Sequence, residues 1–253
     1  MREEQLRERL LRFERESRYL TKDSDERKVI EEVFDRATLM AMNDLLSGGE
    51  LQALNGVVNT GKEARVYWGV APDGSPRAVK IYLTSSAEFK RRLRYIAGDR
   101  RFAKIPGSTR GVVKLWVQKE YKNLQLAEAA KVRVPLPYAF NENILVTEFI
   151  GVPPGHAPIF AEVDVDQSDF DWTMRMVKRL YRKAGLVHAD LSEYNIFKFG
   201  GQRILFDMGS AVLTTHPEAR QLLLRDVTNL VRFFKRRGIY EKAPEEIVES
   251  IEP

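Results

Sequence analysis

Along residues 3–20, leucines and aromatics recur every three or four positions between charges, a spacing that predicts an amphipathic helix. The same period continues over 24–46, with Ser24 placed as an N-cap and Gly48-Gly49 ending the run. From Leu51 to Val70 the period drops to two, predicting two strands around the turn NTGKEA. APDGSP is a second turn, and RAVKIYL is the strand that returns from it. A helix over 85–97, a flexible basic loop over 98–111 and a helix over 112–130 follow. The last of these carries Val113, Trp116, Val117, Tyr121, Leu124 and Leu126 as apolar positions. ILVTEFI reads as a strand and GVPPGHAP as a connector between lobes. Residues 166–184 read as a helix stopped by Gly185, NIFKF and RILFD as short strands, and 217–237 and 244–251 as closing helices. Strands come first and helices later, which predicts an α+β chain. Its expected parts are an N-terminal helical extension (1–48), a strand-rich lobe (49–150) and a reduced, mostly helical lobe (151–253). No internal repeat or low-complexity tract interrupts this order.

Composition narrows the chemistry. With 43% hydrophobic and 30% charged residues, the chain has the balance of an ordinary globular protein. No run approaches the ~18 apolar residues of a membrane span, and the opening MREEQLRERLLRFERE is too charged for a signal peptide. A cytoplasmic protein without membrane association is expected. Cysteine is absent and only His156, His188 and His216 supply imidazole, so a structural zinc site is not expected. Any metal would be a hard cation on carboxylate and amide oxygens, which points to magnesium. Charge is uneven: between Lys90 and Lys122 eleven basic residues face only Asp99 and Glu120. Such a block makes either a footprint for a phosphate backbone or a solvated, mobile loop with flanking helices.

Gly56 to Glu63, GVVNTGKE, matches G-x-x-x-x-G-K, but Glu63 stands where a Walker A loop needs Ser or Thr. The residues after it alternate like a strand, whereas a P-loop must open a helix. Asn59, Thr60, Gly61, Lys62, Ala64 and Val66 fit a kinase-type glycine-rich hairpin better, with Asn and Ala in place of the outer glycines. Ala78-Val79-Lys80-Ile81 matches the strand whose lysine pairs with ATP phosphates and a helical glutamate, although an exposed sheet lysine has the same pattern. Glu120 is the candidate partner for Lys80, with Glu128 as the alternative. The segment from His188 to Asn195 fits H-x-D-L-x-x-x-N, and Asp207-Met208-Gly209 follows twelve residues after Asn195. Phosphoryl transfer needs a carboxylate to orient a hydroxyl and oxygen ligands for a metal that neutralises phosphate charge. Asp190 supplies the first; Asn195 and Asp207 supply the second. His188 is expected to be structural, and His156 and His216 to be surface or loop residues. Asp226 either braces the catalytic loop or is a plain surface aspartate.

In NTGKEARVY, AVKIY, RYIAGDRRF, WVQKEYKNL, ILVTEFIG, LVHADLSEYN and FDMGSAV, residues 50–235 resemble the RIO family of atypical serine protein kinases, and within it the first (Rio-one-type) subfamily. The fifty residues ahead of the nucleotide loop are too few for the winged helix of the second subfamily. The resemblance implies a bilobal kinase-like fold of prokaryotic, archaeal type, ATP with magnesium (manganese as a substitute), and a role on the small ribosomal subunit precursor, its RNA and proteins. It also implies that the Glu148 carbonyl and Ile150 amide bond the adenine, that Thr147 gates the pocket, and that Asp207 itself accepts phosphate in an ATPase-like cycle. Ser192 stands where Ser/Thr kinases carry a phosphate-contacting lysine; Lys62 is expected to take that role. Ser210 follows Gly209 where many relatives have glutamine. No A-P-E segment follows Asp207, so efficient phosphorylation of free peptides is not expected. Two rival readings share parts of this pattern: a small-molecule phosphotransferase of the aminoglycoside-kinase kind, and a catalytically silent RNA-binding scaffold.

Overall fold

The computed structural model describes residues 33–84, 88–102, 104–239 and 243–252. The helix expected over 3–20 lies outside the described residues, as does Ser24. The chain forms two compact units. Of the described residues, the first draws on those up to Arg91, on Pro106–Gln118 and on Pro137–His156; the second on Arg92–Ile105, Lys119–Leu136 and those from Ala157.

In the first unit, α1 (Arg36–Ser47) begins later than its periodicity suggested. Asp35 sets that start: its backbone is extended, and its side chain accepts from the Thr38 amide at 2.9 Å, capping a helix inside the run that the periodicity makes continuous. Strands β1 (Ala53–Thr60), β2 (Ala64–Val70), β3 (Pro76–Tyr82), β4 (Pro137–Asn141) and β5 (Ile144–Glu148) make an antiparallel sheet in the order β1-β2-β3-β5-β4. β4 was not foreseen; it opens with proline and none of its residues is fully buried, so it lacks the apolar alternation of its neighbours. One sheet face, with Val79, Ile81, Ile144 and Val146, packs with Leu39, Met42 and Leu45 of α1 into the core of this unit. A small hairpin, β6 (Gly151–Val152) with β7 (Gly155–His156), closes it.

The second unit contains α2 (Glu88–Ile96) from Arg92 onward and the C-terminal half of α3 (Thr109–Ala129). The loop expected over 98–111 is shorter than its composition suggested. Helix α3 starts at Thr109, and Asp99 and Phe102 are buried, the Phe102 ring lying against the cations of Arg101 and Lys122. Helix α4 (Gln167–Arg179) runs into a π-turn that ends at Gly185, where φ is +66° and glycine carries no steric cost. β8 (Leu186–Val187) then pairs with β11 (Val212–Leu213), and β9 (Ile196–Phe199) with β10 (Gln202–Leu205). α5 (Ala219–Lys235) packs against α6 (Pro244–Ile251). Phe160, Phe170, Phe233 and Phe234 interlock at ring separations of 5.0–6.5 Å to fill the core. Among the described residues no helix is long and apolar enough to cross a membrane.

Candidate catalytic loop and nucleotide face

In the first unit, strand pleating sorts the predicted residues. Val79 and Ile81 point into the core, so Lys80 between them points to the other face. Directly opposed residues share a face, and the register opposes Val66 and Leu145 to Lys80, Ala64 to Tyr82, and Thr147 to Ala78. Ala64, Val66, Ala78, Lys80, Leu145 and Thr147 therefore line one face, with the Lys80 ammonium 4.9 Å from the centre of the Tyr82 ring. Asn59, Thr60, Gly61 and Lys62 lie exposed at the β1–β2 turn. That turn leads into a strand, so the P-loop reading fails and the hairpin reading stands. Glu148 ends β5 half-buried, and Ile150 is buried two residues on.

The second unit holds the acids. His188 is buried, with Nε2 3.0 Å from the Phe206 carbonyl, consistent with a structural residue. Ala189 (φ +63°) and Asp207 (φ +61°) both adopt the left-handed conformation, which non-glycine residues hold only where surroundings enforce it. Asp226 is the enforcing group at the first. It is 1% exposed, and its two oxygens accept the Ala189 amide at 2.7 Å and the Leu191 amide at 3.0 Å. Burial pushes its carboxyl up to about 7, against the pull of those amides and of Arg225. Arg225 donates to the Ala189 carbonyl, and Asn229 reaches the Leu191 carbonyl at 3.4 Å. Of the two readings of Asp226, the brace is the one observed.

Asp190 thus projects, exposed, from a backbone gripped on both sides. Loss of hydration, and after it the negative charge of Asp207, raises its pKa above the usual carboxylate value. The Asn195 side-chain amide donates to the Asp190 carbonyl at 2.7 Å, which leaves the Asn195 side-chain oxygen as the acceptor end. The Phe206 amide bonds the Asn195 carbonyl at 3.0 Å, and Phe197 stacks on Phe206 at 3.9 Å. The β9–β10 hairpin so joins Asn195 at its start to Asp207 just past its end. Ser192 is half-buried, its hydroxyl 3.4 Å from the Tyr194 amide. Glu120 is buried on α3 in the second unit, whereas Glu128 is exposed. His156 is exposed, but His216 is not the surface residue expected. It is 7% exposed, and its Nε2 lies 2.9 Å from the Ala97 carbonyl.

Among the described residues no three His, Asp or Glu side chains cluster as a protein metal cage. Magnesium in phosphotransfer sites takes only one or two protein oxygens and completes its shell with phosphate and water. The carboxylate of Asp207 and the free amide oxygen of Asn195 fit that pattern.

Sequence reasoning missed Lys119 and Asn123. Both are buried, and both bond the turn after Asp207. The available signal was their spacing: with Trp116 and Ala127 they fall on the apolar stripe of α3, where a polar residue needs partners.

The RIO domain family matches residues 65–247. The RIO-type serine/threonine-protein kinase Rio1 of Haloferax volcanii is 41% identical over 88% of this chain and 77% of its own length. Its counterpart in Methanocaldococcus jannaschii is 37% identical over 90% and 77%. The human serine/threonine-protein kinase RIO1 is 35% identical over 92% of this chain, which spans only 42% of that longer protein. Among solved structures, the Rio2 kinase–ADP/Mg2+–phosphoaspartate complex of Chaetomium thermophilum superposes with a TM-score of 0.65 at 18% identity. That match covers 85% of this chain and 66% of the other, a likeness of fold.

Proposed function

Because this chain belongs to the RIO family of kinase-like proteins, we propose that it is an ATP-dependent serine/threonine protein kinase acting with magnesium on the small ribosomal subunit precursor. The observation that carries this reading is the loop from Asp190 to Asp207. An exposed carboxylate with a raised pKa is tied through Asn195 to a second carboxylate on a strained turn. Asp190 orients the attacking hydroxyl and takes its proton; a carboxylate lifted toward neutrality does this better than one at its ordinary value. Asp207 and Asn195 would hold magnesium, which neutralises the charge on the triphosphate. Val66, Ala78 and Leu145 offer an apolar face for the adenine, with Glu148 and Ile150 bonding its edge and Lys80 on the phosphates. Where no hydroxyl is presented, an Asp207 oxygen attacks the γ-phosphorus and ADP leaves. Water then hydrolyses the acyl phosphate to return the carboxylate and inorganic phosphate, giving net ATPase turnover. The exposed cations Arg94, Arg100 and Lys104 favour a phosphate-rich target. The block is narrower than its sequence implied, since Lys119 is buried and Arg101, Arg110 and Lys114 are paired with Asp99, Asp35 and Glu142.

The test is release of phosphate from ATP by Asp190→Asn and Asp207→Asn. Each should fall by about 1,000-fold or more, the scale set by removing a reacting or charge-stabilising group, with ADP still bound by Asp190→Asn. Turnover within ten-fold of wild type in Asp190→Asn would sink the assignment.

A further inference from the structure

Lys119 has no exposed surface, yet it carries an ammonium. Burying a charge is unfavourable, and loss of hydration pushes the Lys119 pKa down to about 7, with Asp99 opposing. An apolar residue would be cheaper on this stripe of α3, so the contacts that keep the lysine there are informative. Its Nζ donates to the Gly209 carbonyl at 2.9 Å and to the Ala211 carbonyl. One helical turn on, Asn123, also fully buried, donates to the Met208 and Ala211 carbonyls, both at 2.9 Å. Three carbonyls of the segment that follows Asp207 are thus held by two side chains of one helix. The Asn123 oxygen in turn accepts from Arg101 at 2.8 Å, and Arg101 grips the buried Asp99 through Nε at 3.0 Å and Nη2 at 2.7 Å. This chain of bonds runs from the 99–101 segment through α3 to the turn.

The turn needs such support. Asp207 is left-handed, and a short 3-10 turn follows it at once, so these carbonyls have no strand or long helix to join. A buried carbonyl left unpaired is destabilising. We propose that Lys119 and Asn123 are positioning residues that suspend the Asp207 turn and so aim its carboxylate at the magnesium–phosphate group. This rests on Asp207 being the metal-binding carboxylate.

The experiment measures ADP affinity with and without magnesium chloride, beside the melting temperature, in wild type, Lys119→Met, Asn123→Ala, Asp207→Asn and the Lys119→Met/Asp207→Asn double variant. Methionine keeps the length of lysine without its charge, so the fold should survive. Partners that orient a metal ligand are worth about 10–100-fold in metal affinity. Lys119→Met should therefore lose roughly ten-fold or more of the magnesium-dependent tightening, with metal-free ADP affinity unchanged. Asp207→Asn should abolish the tightening, and the double variant should lose nothing further. Should Lys119→Met fail to fold, Asn123→Ala carries the same comparison. Full magnesium tightening in whichever variant folds, whatever its melting temperature, would overturn the proposal. So would an additional loss of ADP affinity in the double variant, because Lys119 would then act by another route. If Asp207→Asn itself keeps the tightening, the metal-ligand reading fails instead, and that result is separable from the others.

Discussion

The turn at 59–62 in the first unit and the loop at 188–195 in the second are built in opposite ways. The turn stands in solvent, held by the Gly61 amide on the Ala64 carbonyl at 3.0 Å and by Arg65 on the Gly61 carbonyl at 2.9 Å. The loop is gripped by Asp226, Arg225 and Asn229 of α5, and the Asp207 turn that completes it by Lys119 and Asn123 of α3. A segment that covers phosphates must admit and release a ligand, so sparse bonding suits it. A carboxylate that orients a nucleophile gains from being fixed beforehand, because misplacement of about 1 Å can cost 100-fold in rate. Rigidity has been placed where charge must be aimed.

Breaking the grip on the loop should have the largest effect. Asp226→Ala orphans the amides of Ala189 and Leu191, at about 1–3 kcal/mol each, and frees Ala189 to leave its left-handed conformation. Phosphate release should drop by about 100-fold with a clear fall in melting temperature. Asp226→Asn, which keeps one acceptor oxygen, should lie between this variant and wild type. A kinetic assay at matched folded fraction checks both, and equal turnover in all three would dissolve the contrast between braced loop and loose turn.

One step further out, Asp169 of α4 binds Lys198 of β9 at 2.8 Å and Arg203 of β10 at 2.6 Å, fastening the hairpin that links Asn195 to Asp207. Burial would raise its pKa, but those two cations and the Asp166 amide hold it below the ordinary 3.8. A carboxyl depressed in the folded state stabilises fully above its unfolded pKa, and that stability drains as pH falls through 3.8 and below. Asp169→Asn should therefore cost about 2–4 kcal/mol at pH 7 and flatten the acid limb of a stability–pH curve from 3.8 downward. The change should fall on stability far more than on turnover measured on the folded fraction. An unaltered acid limb would show that the hairpin is fastened by its packing alone.

How much of this was legible in the sequence follows from where each interaction is written. The acid loop could be read because its chemistry lies within motifs: Asp190 and Asn195 share one loop, and the twelve residues to Asp207 are one hairpin. Lys80 could be read because its apolar flanks set the pleat. Lys119 could not, since it sits among eleven basic residues and only the fold distinguishes a buried ammonium from a wet one. The run over 24–46 reads as one helix because the cap that interrupts it, Asp35, which also meets Thr84 and Arg110, is a tertiary feature that the period does not show. Strand β4 was invisible because half-burial gives no alternation. His216 looked peripheral because its partners lie about 120 residues away in α2 and just beyond it.

The smallest expected effect lies in the loose turn. Lys62 is exposed, and Ser192 is half-buried. A charge-assisted contact to phosphate is worth about 1.5–3 kcal/mol, but ordering a free lysine side chain returns about 1.5–2 kcal/mol of that. The net is about 1 kcal/mol or less, so Lys62→Ala should reduce kcat/KM for ATP only about two- to five-fold, without shifting the melting temperature. The difference from wild type should appear at low salt and vanish when the assay salt is raised, since an exposed cation is screened. A loss as deep as that of Asp226→Ala would mean that the turn closes into a rigid lid on binding, and the contrast between the two segments would then belong to the unliganded chain alone. No loss at low salt would remove Lys62 from the phosphate site altogether.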